Sequence, residues 1–181
     1  MSGSSSAGYA AAKSSGATPV IYPRPVGIET DSIPLKRGRC GARVGIIARD
    51  RSADAWHIAH ERFPANRRGE IAHLLATRVS DSVWHKQLDA IHQESGSNEL
   101  YWLHPYSTYQ TFCPYLVGSY DEVAAEIARY VESGFRTFIL DIPRSREDLV
   151  HAGVVFRKAL EIVRLTDQPV QEHTSDDHSG S

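Results

Sequence analysis

From Pro114 to Pro143 the chain reads PYLVGSYDEVAAEIARYVESGFRTFILDIP, and this stretch narrows the choice of fold more than any other. Ser119 precedes Glu122 by three residues, the spacing of a capping box, in which hydroxyl and carboxylate satisfy the free N–H groups of a helix start. Val123, Ile127, Tyr130 and Val131 recur at helical spacing, and Ala124 and Ala128 keep that face slim. Gly134 stands where a left-handed residue ends a helix. Thr137-Phe138-Ile139-Leu140 is then a short unbroken apolar run, closed by Asp141 and Pro143. Such a run suits a central parallel strand covered on both faces. Capped helix, glycine stop and strand make one αβ unit.

The 181 residues are enough for one ordinary domain, and 41% hydrophobic content is that of a globular chain. A formal charge of −2 gives no electrostatic case for nucleic acid. No apolar run reaches the roughly 20 residues that span a bilayer, so no membrane role is expected. The opening MSGSSSAGYAAAKSSG lacks the apolar core of a signal peptide. Cys40 and Cys113 form no CxxC pair and read as reduced thiols of a cytoplasmic protein.

Taken in order, the serines after Gly3 look like the start of a helix that ends near Gly16. A glycine-serine turn there is either a flexible polar tail or an anion site, since free N–H groups and the helix dipole both face outward. Val20-Ile21-Tyr22 is a brief strand between prolines, and Arg43 to Ala48 a second, buried one. Asp50 and Ser52 are expected to cap a helix carrying Ala55, Trp56, Ala59 and Phe63. Helical stretches follow over about 68–78 and after Ser80. Residues 95–114 then read as an aromatic-rich irregular segment, and a last helix starts near Ser145. Single strands alternating with helices indicate an α/β fold with a parallel sheet.

Three segments, SGSSSAG, GARVGIIARDRSADAW and LVGSYDEVAAEIARYVESGFRTFIL, resemble the C-terminal half of the bacterial-luciferase-like, flavin-dependent monooxygenases, with the alkanesulfonate monooxygenase branch nearest. The resemblance implies a partial (β/α)8 TIM-type barrel of about three parallel strands, with helices and a helical insertion over residues 68–114. Residues 1–166 would form this domain and residues 167–181 a polar tail. A full barrel takes roughly 250 residues. The first five strands would therefore lie outside the chain, which would need a partner N-terminal half or self-association.

The resemblance also implies reduced FMN as cosubstrate, a separate flavin reductase to supply it, and molecular oxygen acting on a small organic substrate. Some relatives use a deazaflavin and transfer hydride instead. Gly3, Ser4 and Ser5 match the turn near the flavin phosphate, and Arg43 matches an arginine facing the active site. The histidine expected two residues on is Gly45, the mobile-loop arginine is Tyr109, and a tyrosine-proline-histidine after the last strand is Ile142-Pro143-Arg144. That puts alkanesulfonates in question and leaves Arg43, Tyr109 and Arg144 to bind another polar or acidic substrate.

His104 reads either as a packing or hydrogen-bonding loop histidine or, in a pocket like the family's, as the histidine best suited to acid–base work beside Arg43. His57, His60 and Glu61, without HExxH, read as a solvated helix face rather than a metal site. Cys113, between Phe112 and Pro114, reads as a buried inert thiol. Two other readings stand beside the oxygenase: a non-catalytic flavin-binding or interaction protein, and an inactive fragment of such an enzyme.

Overall fold

The structure, a computed structural model, describes residues 5–25, 40–79 and 100–166. It is a mixed α/β arrangement in which an open, curled sheet of five strands carries helices. The sheet is organised by β2 (Cys40–Arg49). β1 (Val20–Ile21), β4 (Tyr115–Ser119) and β5 (Phe135–Leu140) all pair with it in parallel, and β3 (Tyr101–Trp102) joins β4 antiparallel. Gly41 donates to the Pro19 carbonyl and Gly45 to the Pro114 carbonyl, both at 2.8 Å. Residues four apart in a strand present their N–H groups to the same edge, so β1 and β4 follow one another along one edge of β2. Val44 accepts from Asp141 N at 3.1 Å on the other edge, where β5 lies.

The period of two in β2 separates its neighbours. Ala42, Val44 and Ala48 face a core shared with α5 (Tyr120–Glu132) and α6 (Arg146–Thr166), through Val123, Ala124, Ile127, Ala128, Val155 and Ala159. Ile47 faces the opposite way, into a second core with Tyr115, Val117 and the Ala55, Ala59 and Phe63 stripe of α2 (Ser52–Arg62). α1 (Ser6–Ser14), α3 (Arg67–Val79) and the single turn α4 (His104–Ser107) complete the described elements.

The αβ unit forms as its residues dictate. Glu122 N donates to Ser119 Oγ at 3.3 Å and Ser119 N to Glu122 Oε2 at 2.7 Å, closing the capping box. Gly134, with φ 106°, turns the chain into β5, a conformation a side chain would strain.

Several expectations are corrected. β5 is not covered on both faces: its burial falls off after Phe135, and Ile139 is 43% exposed. Its apolar run supplies one packed face, Phe138 and Leu140 against the α5–α6 core, and one open one. Arg51, not Asp50 or Ser52, is the N-cap of α2, without a side-chain cap bond, and its guanidinium holds Asp54 at 2.9 Å instead. The aromatic segment is not irregular throughout, since it contains β3 and α4. β4 is an added strand: Leu116 and Val117 are fully buried because they extend the sheet beside β2. The helix expected after Ser80 and the polar tail lie outside the described residues.

Replacing Ser119 by alanine removes the cap and should lower stability by about 1 kcal/mol. Ile127→Ala, deep in the larger core, should cost about 2–5 kcal/mol. Urea unfolding followed by circular dichroism reads both, and equal effects would contradict this packing.

Candidate functional site

Alternation on β2 places Gly41, Arg43 and Gly45 on the face turned away from the α5–α6 core. Gly45 leaves a gap there that Tyr115 fills: a Cβ at position 45 would stand 2.4 Å from the Tyr115 ring. Strand register puts these two residues side by side. The phenol is thereby carried across β2 to Asp141, at the end of β5, and donates to Oδ2 at 2.6 Å. Thr111 Oγ1 donates to the same oxygen at 2.7 Å. Arg43 Nη2 lies 3.8 Å from Asp141 Oδ1, a charge contact rather than a hydrogen bond. Its Nε is buried and has no hydrogen-bond partner among the described residues. Tyr22 and the Cys113 thiol complete the surroundings of Arg43.

The electrostatics follow from this crowding. Burial, then the hydrogen bond to Asp141 and its charge, push the Tyr115 phenol far up, so it stays a donor. Burial, with Asp141 adding to it, pushes Cys113 up to about 12, which makes it a packing thiol rather than a nucleophile. Burial also raises Tyr22, partly offset by Arg43.

A second buried carboxylate, Asp148, sits at the start of α6. Arg62 Nη2 donates to it at 2.8 Å, Arg144 N at 3.0 Å, and Arg49 stands 3.9 Å away. Burial works against its charge, but Arg62, the Arg144 N–H and Arg49 outweigh that and hold its carboxyl below the usual 3.8. Between Asp141 and Asp148 a cavity of about 20 Å³, lined also by Gly45, Arg62 and Tyr115, has room for about one water molecule. A larger open hollow of about 410 Å³ lies between α2 and α5. Its charged groups are engaged elsewhere, Glu122 in the cap and Arg129 with Glu126.

Of the residues singled out by sequence, Arg43 is at the centre. Arg144 is near, but its guanidinium lies over the Phe63 ring at 5.2 Å. Tyr109 takes a left-handed conformation, φ 55°, with its ring against His73. His104 is stacked on Trp102 at 5.4 Å. Phe63 stands between Trp102 and Tyr115, and His104 makes no hydrogen bond or ring contact with the Asp141 cluster among the described residues.

Ser5 caps α1, accepting from Gly8 N at 3.1 Å, whereas Gly3 and Ser4 lie outside the described residues. His57 and His60 are exposed, and no group of three metal-ligating side chains occurs among the described residues. Cys40 and Cys113 are free and buried. No described helix is long and apolar enough to cross a membrane.

Asp141, Thr111 and Tyr115 carry the cluster, and sequence reading gave them no chemical role. The available signal was Gly45, a glycine inside a strand, which marks a close approach.

Over 110 residues, 60% of the chain, 36% are identical to 4-(gamma-L-glutamylamino)butanoyl-[BtrI acyl-carrier protein] monooxygenase BtrO of Niallia circulans. The chain is similar to a monooxygenase. The match spans 32% of that relative, so the chain covers about a third of its length. No family model matches, and no solved structure matches.

Two outcomes test the geometry. Gly45→Ala must push the Tyr115 ring off Asp141 and should cost about 1–3 kcal/mol, with the Tyr115 ring resonances shifting in NMR spectra. Asp148→Asn leaves Arg62 without its counter-ion and should cost on the order of 3–5 kcal/mol at pH 7. Because its folded pKa is depressed, that contribution is present above about 3.8 and fades as pH falls through the lower folded value. Urea melts of wild type and variant should therefore draw together as pH falls below about 3.8, and a gap independent of pH would contradict the pairing.

Proposed function

We propose that the chain is the C-terminal part of a luciferase-like, flavin-dependent monooxygenase. Its strands would be the last strands of a TIM-type barrel, and residues 68–114 an insertion after the next-to-last. The observation that carries this reading is the Arg43–Asp141–Tyr115 cluster. It lies on the face of parallel strands β2 and β5 turned away from the α5–α6 core, beside the place where α2 packs on β2, in a chain similar to a monooxygenase. In barrels that face is the interior, and chemistry gathers at the strand C-termini. Open β5 and exposed Ile139 fit a strand whose neighbour comes from the rest of the barrel.

FMN is the cofactor this reading requires, with a deazaflavin as the other candidate. Ser5 satisfies Gly8 N, and the first turn of α1 has no acidic residue. The remaining first-turn N–H groups thus fit the phosphate end of a flavin nucleotide, together with Gly3 and Ser4. Reduced flavin, supplied by a flavin reductase in the cytoplasm, would provide the electrons for oxygen insertion.

The chain's own residues then bind and orient. Arg43 donates to a substrate oxygen, Asp141 holds Arg43 in place, and Tyr115 and Thr111 hold Asp141. Tyr109, Arg144 and His104, which the resemblance or the sequence nominated, would contribute only where the completed barrel brings substrate to them, since Tyr109 packs on His73, Arg144 on Phe63 and His104 on Trp102. An acyl group carried on an acyl-carrier protein is the substrate class suggested by the similar monooxygenase.

The test is the protein extended by the residues that complete the barrel. With FMN, a reductase and an acyl-carrier thioester, it should consume oxygen only when substrate is present. Arg43→Met should keep flavin affinity and lower turnover by about 10²-fold. Failure of the extended protein to bind either flavin or deazaflavin would sink the proposal.

A further inference from the structure

We infer that the Arg43 subsite selects a neutral hydrogen-bond acceptor, such as an amide or thioester carbonyl, and turns away sulfonates and carboxylates, because Asp141 is built in as the arginine's own counter-ion. This rests on the reading that the Arg43 face of the sheet is the substrate side. An unpaired arginine facing a cleft would be an anion site by default. Here Asp141 Oδ1 stands 3.8 Å from Nη2, with the two side chains 37% and 18% exposed, so solvent screens the contact only in part.

Asp141 cannot turn aside for an incoming anion. Its Oδ2 takes hydroxyl donors from Tyr115 and Thr111. Its backbone N–H is tied to the Val44 carbonyl at 3.1 Å. A sulfonate or carboxylate on Arg43 would therefore bring like charge within a few ångströms of a fixed carboxylate, in partly desolvated surroundings where such repulsion is large.

A carbonyl oxygen meets no such repulsion and gains a charge-assisted hydrogen bond. The second observation is the Tyr115 ring over Gly45. It fills the space from which a further basic side chain on β2 could rebalance the charge. The other arginines nearby are directed elsewhere, Arg62 and Arg49 to Asp148 at 2.8 and 3.9 Å and the Arg144 guanidinium over the Phe63 ring.

The experiment is a pair of NMR titrations on the whole chain, labelled with ¹⁵N-arginine and with Arg43→Met to assign the signal. The probes are N-methylacetamide and sodium methanesulfonate over the same range, at constant ionic strength. In wild type the Arg43 guanidinium signals should move with the amide and stay with the sulfonate. In Asp141→Asn the sulfonate should bind at least about tenfold more tightly than in wild type, as expected when a close like charge is removed. Wild type that binds sulfonate as tightly as amide overturns the inference, as does an Arg43 signal that ignores the amide. A folded Asp141→Asn chain with no gain for sulfonate does the same, and should that variant fail to fold, the wild-type comparison alone decides. Loss of the flavin reading appears separately, as absent flavin binding in the extended protein, and leaves both titrations unaffected.

Discussion

β2 is the member on which the rest depends, because it has partners on both edges and a different core on each face. Ten residues, Cys40–Arg49, take β1 and β4 along one edge and β5 along the other. The alternation of strand side chains then divides the molecule. Ala42, Val44 and Ala48 anchor α5 and α6, while Arg43, Gly45 and Ile47 face the cluster and α2. A slip of one residue would exchange these two sets and bury Arg43 among apolar helices, at a cost no nearby partner would offset.

That constraint gives the site its character. Arg43 and Asp141 come from neighbouring strands, and Tyr115 from a third whose ring crosses over Gly45. None of the three is near the others in sequence, yet each is held by backbone hydrogen bonds of the sheet. A polar cluster supported in this way is rigid, and rigidity is what lets a fixed carboxylate act against an approaching anion. Asp148 does parallel work one layer away, tying Arg62 of α2 and Arg49 of β2 to the start of α6. The two carboxylates thus fasten the sheet's C-terminal ends from both sides of a one-water cavity.

Much of the fold was legible along the chain. The capping box at Ser119–Glu122, the glycine stop at Gly134 and the Ser145 cap of α6 are local devices, decided within three or four residues, and all form. β4 was missed because YLVGS is five residues with no alternation, and only its position beside β2 makes it a strand. The open face of β5 was missed because an apolar run does not reveal which neighbours cover it. In the site, Arg43 was legible through the resemblance of its strand. Asp141 was legible only as the residue that closes the last strand; that it balances Arg43 was not, because the two meet only through the pairing of β2 with β5.

The sequence by itself determined the local devices: the capping box at Ser119–Glu122, the glycine stop at Gly134, and a glycine at position 45 inside an apolar strand. Those properties depend on neighbours a few residues away. Only tertiary structure decided what fills the gap and what balances Arg43. Tyr115 is seventy residues from Gly45 and Asp141 ninety-eight from Arg43, and charge acts through space, at 3.8 Å here, without regard to separation along the chain.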